Sequence, residues 1–92
     1  MKARDLKAKL AAGGRVYGCM IYSASGLRWG HVLAGSTLDY VVIDSEHAAR
    51  DRENIANWAL LCRAHGITSI VRVPSTEAHY VAMALDTGAD GV

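Results

Sequence analysis

YVVIDSEHAARD, residues 40–51, indicates the fold class, because an apolar β-branched run is followed at once by polar residues. Val41 to Ile43 are typical of a buried strand. The polar residues Asp44 to His47 come next, and Asp51 is a candidate N-cap for a following helix. A strand that ends in ionisable groups just before a helix predicts a βα unit whose polar end faces a binding site.

The same order of elements recurs along the chain. An opening helix carrying Leu6 and Leu10 inward is expected to end at the glycine pair 13–14. Apolar runs predict strands at 16–22, 38–44 and 67–73, with a fourth apolar segment from 89. Helical stretches lie between them, at 23–36, 51–66 and 75–88, and Ser75 or Thr76 is the expected cap of the last one.

The expected fold is α/β, because strands that are apolar on both faces suit a parallel sheet covered by helices. We interpret residues 1–92 as the N-terminal three-plus βα units of a (β/α)₈ TIM barrel, although spacing alone also allows an open doubly wound sheet. Three units leave a sheet uncovered, so we expect a single barrel domain truncated at its fourth strand. If the chain is complete, it should be marginally stable or associate.

Charge and composition exclude several classes of function. The formal net charge is +1 with interspersed signs, which gives no basis for binding nucleic acid or a membrane surface. No leader and no apolar run long enough to span a bilayer is visible, so a cytoplasmic protein is expected. Cys19 and Cys62 lie in apolar segments and are expected to be buried free thiols rather than disulfide or zinc ligands.

Two residues near strand ends are candidates for chemistry. His47 follows the second strand and is either a general base or a turn histidine that caps the next helix. Arg72 lies inside the third strand, where a permanent cation needs an anion. It therefore either pairs with Asp44 or Glu46, or reaches a ligand carboxylate or carbonyl.

Three carboxylates are weaker candidates. Asp44 and Glu46 alternate across the strand end, so they need not share a face and would make a poor metal site by themselves. Asp86 lies late in the last helix, where it opposes the helix dipole and requires a cationic partner. The alternative for Asp86 is an exposed surface charge.

Three ordered motifs, VVIDSEHA, VRVP and ALDTGADGV, resemble the HpcH/HpaI aldolase family. Its members include 4-hydroxy-2-oxoheptanedioate and 2-dehydro-3-deoxyglucarate aldolases of the phosphoenolpyruvate/pyruvate superfamily. The opening LKAKLAAGGRVYGCMIYSASG is similar as well, so the resemblance covers nearly the whole chain. It implies a (β/α)₈ enzyme that uses a divalent metal (Mg²⁺, Mn²⁺ or Co²⁺) to join or cleave a pyruvate enolate and an aldehyde.

The resemblance also implies roles for individual residues. His47 matches the catalytic acid–base group, which works through metal-bound water, and Asp86 matches the carboxylate that pairs with and orients it. Arg72 matches the arginine that binds the substrate keto oxygen and stabilises the enolate. Asp44 and Glu46 match positions that support the metal–water network. The two metal-binding carboxylates of the family are expected beyond Val92, as are the segments through which members assemble into homo-oligomers such as trimer-based hexamers.

Two other functions remain open from the sequence. A citrate-lyase-like or malyl-CoA-type lyase would share the fold but use an acyl-CoA substrate. A truncated, non-catalytic assembly module would lack the remaining part of the site. A Schiff-base aldolase is disfavoured, because the lysines, Lys2, Lys7 and Lys9, all lie in the opening helix.

Overall fold

The computed structural model describes all residues from Met1 to Val92 and contains a three-stranded parallel sheet in the order β1-β2-β3. Its elements, in chain order, are α1 (Ala3–Ala11), β1 (Gly18–Ile21), a 3₁₀ turn (Leu27–Trp29) that runs into α2 (Gly30–Ala34), β2 (Tyr40–Asp44), α3 (Arg52–Ala64), β3 (Thr68–Arg72) and α4 (Ala78–Asp86). Gly91 bridges Ile70 in parallel, beside β3. The predicted α/β arrangement of successive βα units is confirmed.

One face of the sheet packs against α3 and forms the core. Val41, Ile43 and Val71 are fully buried there. The helix contributes its inward residues at the spacing that predicted it, Ile55, Trp58, Ala59 and Cys62. Burying each of the larger side chains contributes about 1.5–3 kcal/mol of transfer free energy, which makes this face the main source of stability.

The opposite face of the sheet is more accessible. Val42 and Ile70 are only half-buried, and Met20 of the edge strand β1 is exposed. Gly18 on this face has a clear reason to be glycine, since a Cβ there would lie 2.5 Å from ring atoms of Tyr40. The close approach of that ring to the β1 backbone therefore depends on the missing side chain.

Helix boundaries follow local chemistry at some ends and not at others. Asp51 caps α3 as predicted, because its carboxylate accepts a hydrogen bond from the backbone N–H of Asn54 at 2.8 Å. After the C-cap of α3, Gly66 adopts φ +67°, a left-handed conformation that favours glycine. The expected Ser75 or Thr76 cap is wrong, since α4 begins after Glu77 without a side-chain cap.

The expectation that both thiols are buried holds for Cys62 alone. Burial raises the pKa of the Cys62 thiol to about 11, with smaller contributions from Asp90 and Cys19. Cys19 is exposed, because β1 is an edge strand and the short α2 leaves it uncovered. Leu10, which was expected to face inward, is also exposed, as are the apolar residues Leu27, Val32 and Leu85.

No helix is long and apolar enough to cross a lipid bilayer.

Candidate functional site at the carboxyl edge of the sheet

A bidentate ion pair joins the ends of β2 and β3. The register places Asp44 directly beside Arg72. Nε of Arg72 donates to Oδ1 of Asp44 at 3.0 Å, and Nη2 donates to Oδ2 at 2.8 Å. Two parallel bonds of this kind fix the plane of the guanidinium as well as its position. The pairing alternative for Arg72 is therefore realised in this structure, with Asp44 as the partner.

Asp44 is held on every side. Its side chain has 0% solvent exposure. Its Oδ1 also accepts hydrogen bonds from the backbone N–H groups of Glu46, at 2.9 Å, and His47, at 3.3 Å. The Arg72 guanidinium and these amides hold the pKa of Asp44 well below its usual range, against the opposing effect of burial. Asp44 is a buried anion whose charge is already compensated.

This enclosure concerns one of the roles implied by the resemblance. Asp44 was expected to support a metal–water network. Because its carboxylate is enclosed and both oxygens are bound within the chain, it has no surface with which to touch a bound water in this structure.

Arg72 is fixed at its backbone but retains an open donor group. The Ser45 amide and hydroxyl both donate to the Arg72 carbonyl, at 3.0 and 2.7 Å. The bond to Asp44 raises the pKa of Arg72, so the side chain is a permanent cation. About a third of the side chain, 35%, remains exposed. Its Nη1 makes no hydrogen bond within the chain, so a correctly oriented cationic donor is free to bind an anion or a carbonyl oxygen.

His47 and Glu46 lie outside this enclosed pair. Nε2 of His47 is 2.5 Å from Oε1 of Glu46, and 61% of the histidine side chain is exposed. The histidine does not cap α3, since Asp51 does so. Its ring is therefore accessible from solvent near the Asp44–Arg72 pair and is supported by a carboxylate neighbour, as a proton-transfer group requires.

Asp86 does not meet His47, and the pairing implied by the resemblance is absent from this structure. Its nearest cation is Nη2 of Arg52 at 3.9 Å, and its side chain is 71% exposed. In this structure each of the two side chains has another partner, since His47 contacts Glu46 and Asp86 approaches Arg52.

Arg50 belongs to this edge but was not identified from the sequence. Its guanidinium binds five oxygens and extends from β2 to the segment after β1. Nε donates to the Asp44 carbonyl at 3.0 Å, and Nη1 bonds to the Asn54 side chain. The remaining acceptors are the carbonyls of three residues, Ile21 at 3.4 Å, Tyr22 at 3.1 Å and Ala24 at 3.3 Å. Backbone carbonyls occur at every position, so no sequence pattern signals such an arginine.

The segment after β1 lines a polar cleft. Tyr22, Ser23 and Ser25 lie on one side of the cleft, and Arg50 with the start of α3 lies on the other. Continuing the register of β1 with β2 places Tyr22 beside Asp44, in the row that Arg72 completes. Ser23 and Ser25, which follow the first strand, therefore lie at the same edge as this row.

No group of three or more histidine, cysteine, aspartate or glutamate side chains lies close enough together to hold a metal ion. The oxygens of Asp44 are bound to Arg72 and backbone amides, and Glu46 contacts His47. The residues present do not form a complete ligand set for a divalent cation.

No protein-family model matches the chain. Curated proteins, by contrast, are similar to this chain. A hydroxypyruvate/pyruvate aldolase of Roseovarius nubinhibens is 34% identical over 83 residues, which is 90% of this chain and 32% of that protein. The enzyme of the same name from Roseobacter denitrificans is 27% identical over 86 residues, covering 94% of this chain and 33% of that protein. The chain thus spans about a third of the length of the curated relatives it matches.

Solved structures agree with these relatives. An HpcH/HpaI aldolase from Desulfitobacterium hafniense superposes with a TM-score of 0.80 at 33% identity, over 91% of this chain and 32% of that one. The resemblance to the HpcH/HpaI aldolase family is confirmed. The citrate synthase SbnG superposes with a TM-score of 0.78 at 37% identity, over 91% of this chain and 34% of that one. The three βα units match the N-terminal part of such an HpcH/HpaI TIM barrel.

Proposed function

We propose that this chain forms the N-terminal part of a metal-dependent carbon–carbon lyase, an aldehyde-lyase that joins or cleaves a pyruvate enolate and an aldehyde. The observation that supports this most directly is Arg72, held by Asp44 at the carboxyl edge with its Nη1 unbonded. The names of the curated relatives, hydroxypyruvate/pyruvate aldolases, support the same reaction. Residues 1–92 are proposed as one portion of a single barrel domain.

Arg72 is the proposed group that binds the keto oxygen of the 2-oxo acid. Negative charge develops on that oxygen as the enolate forms, and a fixed cationic donor stabilises it without needing to reorganise. Asp44 orients the guanidinium through two bonds, and Ser45 fixes its backbone. In this proposal Asp44 contributes to the reaction through Arg72 rather than by contacting a ligand.

His47 is the proposed acid–base group. Glu46 lies against its Nε2, where a carboxylate can orient the ring. Asp86 remains part of the proposal through the resemblance alone, as the orienting carboxylate of His47. It is the member with the least structural support, because no bond joins the two side chains.

A divalent cation is part of the proposed reaction, with Mg²⁺, Mn²⁺ or Co²⁺ as candidates. When bound, such an ion would supply a Lewis acid for the 2-oxo acid. Its ligands would be supplied from outside these residues, since this chain forms no complete set. Of the two residues expected in a metal–water network, only Glu46 has accessible carboxylate surface. We also propose a homo-oligomeric protein, as the resemblance implies.

A second candidate reaction is favoured by one comparison. The superposition on the citrate synthase SbnG is consistent with a citrate-lyase-like or malyl-CoA-type reaction on an acyl-CoA substrate. A non-catalytic assembly module is the third candidate. Activity with pyruvate and no acyl-CoA separates the first from both alternatives.

The test is exchange of the pyruvate methyl protons for deuterium, followed by NMR with the natural gene product in the presence of Mg²⁺ or Mn²⁺. Exchange reports formation of the enolate without any aldehyde. We expect exchange in the wild type and a loss of about 100-fold in His47→Gln. Arg28→Lys, at an exposed arginine without side-chain hydrogen bonds, is the matched control. If the wild-type protein shows no exchange but cleaves an acyl-CoA substrate, the second candidate reaction replaces the aldolase reaction.

A further inference from the structure

Resting on the proposed function, we propose that Arg50 is a positioning residue that holds Tyr22, Ser23 and Ser25 as the aldehyde-binding wall of the site, and that this wall selects hydroxylated aldehydes. The inference begins from what the Arg50 side chain contacts. Apart from the Asn54 amide oxygen, all its acceptors are backbone carbonyls, and three of those carbonyls belong to residues 21–24.

Ala24 packs against the core, but few other hydrogen bonds hold the segment after β1. Its regular strand ends at Ile21, and the next helical turn begins at Leu27. Besides Arg50, the Trp58 indole fixes this segment by donating to the Ala24 carbonyl at 3.2 Å. Arg50 is therefore the main link between the segment and the end of β2. Removal of the guanidinium N–H donors of Arg50 should release the segment from β2.

The Asp44–Arg72 pair, in contrast, contacts Arg50 only through the Asp44 backbone carbonyl, which accepts a hydrogen bond from the Arg50 Nε at 3.0 Å. It is fixed by the sheet register, by its own two bonds and by Ser45. Loss of Arg50 should therefore move the wall while leaving the pair in place. The proposed site has one half that binds the oxo acid and a second half whose position depends on Arg50.

The chemistry of the wall indicates what it would bind. The hydroxyls of Tyr22, Ser23 and Ser25 form no hydrogen bond with any other protein group, and all three side chains are exposed. Continuing the register of β1 places Tyr22 beside Asp44, with β2 between it and β3, the strand that carries Arg72. A wall of free hydroxyls can pair with hydroxyl groups of a second reactant, which an unsubstituted aldehyde lacks.

The test compares Arg50→Lys with Arg28→Lys in the natural gene product, using glycolaldehyde and acetaldehyde as acceptors. Lysine keeps the positive charge but lacks the planar set of guanidinium N–H donors. We expect the wild type to favour glycolaldehyde, and Arg50→Lys to lower the ratio of the two kcat/KM values about tenfold. Pyruvate methyl exchange should stay within about twofold of wild type, since the Arg72 pair is retained. The ratio is insensitive to the fraction of folded enzyme, so a purely structural role would leave it unchanged.

A second measurement keeps the inference independent of the proposed function. Hydrogen exchange of the Trp58 indole N–H reports the position of the segment through its bond to Ala24. We expect it to accelerate in Arg50→Lys and not in Arg28→Lys. An unchanged acceptor ratio, or an equal fall in pyruvate exchange and aldol rate, would overturn the inference. If the wild type shows no pyruvate exchange, the proposed aldolase function is refuted instead. In that case, an indole exchange rate in Arg50→Lys equal to that of the wild type would refute the positioning role of Arg50 as well.

Discussion

Two arginine–aspartate pairs in this chain illustrate how differently the same residue types act. Arg72 and Asp44 meet through two hydrogen bonds at 3.0 and 2.8 Å around a carboxylate that solvent does not reach. Arg52 and Asp86 approach only to 3.9 Å, with both side chains mostly exposed. The first pair is part of the proposed site, and the second is a solvent-screened surface contact.

The difference comes from place in the fold. Asp44 and Arg72 are the last residues of adjacent parallel strands, so the register sets them side by side. Arg52 begins α3 and Asp86 ends α4, so only long flexible side chains bring them together. We therefore expect substitutions in the first pair to affect the protein more than substitutions in the second pair, and four measurements test this expectation.

The largest expected effect is on catalysis. Arg72→Met removes the donor proposed for the keto oxygen, and we expect the pyruvate exchange rate to fall at least about 100-fold. Arg52→Met, the matched change in the exposed pair, should remain within about twofold of wild type. The measurement is deuterium exchange of the pyruvate methyl group under identical metal concentrations. Equal losses in the two variants would remove the distinction between the pairs.

Asp86→Asn tests whether the exposed pair nevertheless has a catalytic member. If Asp86 orients His47 as proposed from the resemblance, the exchange rate should fall about tenfold, and the pH at which the rate is half-maximal should shift. The pH–rate profile is the measurement, with Asp5→Asn in α1 as a matched surface control. A profile identical to that of the wild type would place Asp86 outside the site.

Thermal stability gives the third comparison. Arg72→Met leaves a buried carboxylate with only two backbone donors, and we expect the melting temperature to fall by about 5 °C. Arg52→Met should change it by less than about 2 °C, because a solvent-exposed pair contributes little. Calorimetry on both variants at neutral pH measures the difference. A larger loss for Arg52→Met would contradict the comparison.

The smallest effect concerns acid stability. Folding lowers the pKa of Asp44, mainly through the bond to Arg72, so the unfolded chain binds that proton more readily. The stabilisation is therefore complete above about pH 5 and is lost as the pH falls through about 4 towards the lower folded-state value. Asp44→Asn should flatten the decline of unfolding free energy between about pH 5 and pH 3. Asp86→Asn should keep the wild-type slope, and a flattened slope there would show that the exposed pair also matters.

The sequence predicted the element types and their order, because apolar periodicity and capping are local signals. Asp51 caps α3, and four residues at helical spacing face the core: Ile55, Trp58, Ala59 and Cys62. Prediction was less successful for edges of the sheet. Cys19 and Val32 are as apolar as core residues, and only the three-dimensional arrangement shows that nothing covers them.

The site was predictable to the extent that it depends on strand ends. The alternative in which Arg72 pairs with Asp44 followed from the cost of an unpaired cation in a strand, and the structure realises it. The link between Asp86 and His47 came from motif matching, and the two side chains do not contact each other in this structure. Arg50 had no signal, since its partners are mostly main-chain atoms.

The preference of Arg50 for carbonyl oxygens also affects how this part of the protein can evolve. Carbonyls at positions 21, 22 and 24 persist whatever side chains those positions carry, so the anchor tolerates substitution of the residues it holds. Lineages could exchange Tyr22 or Ser23 for other residues and still present them from the same backbone. Such a region can diversify in sequence while its framework is inherited unchanged.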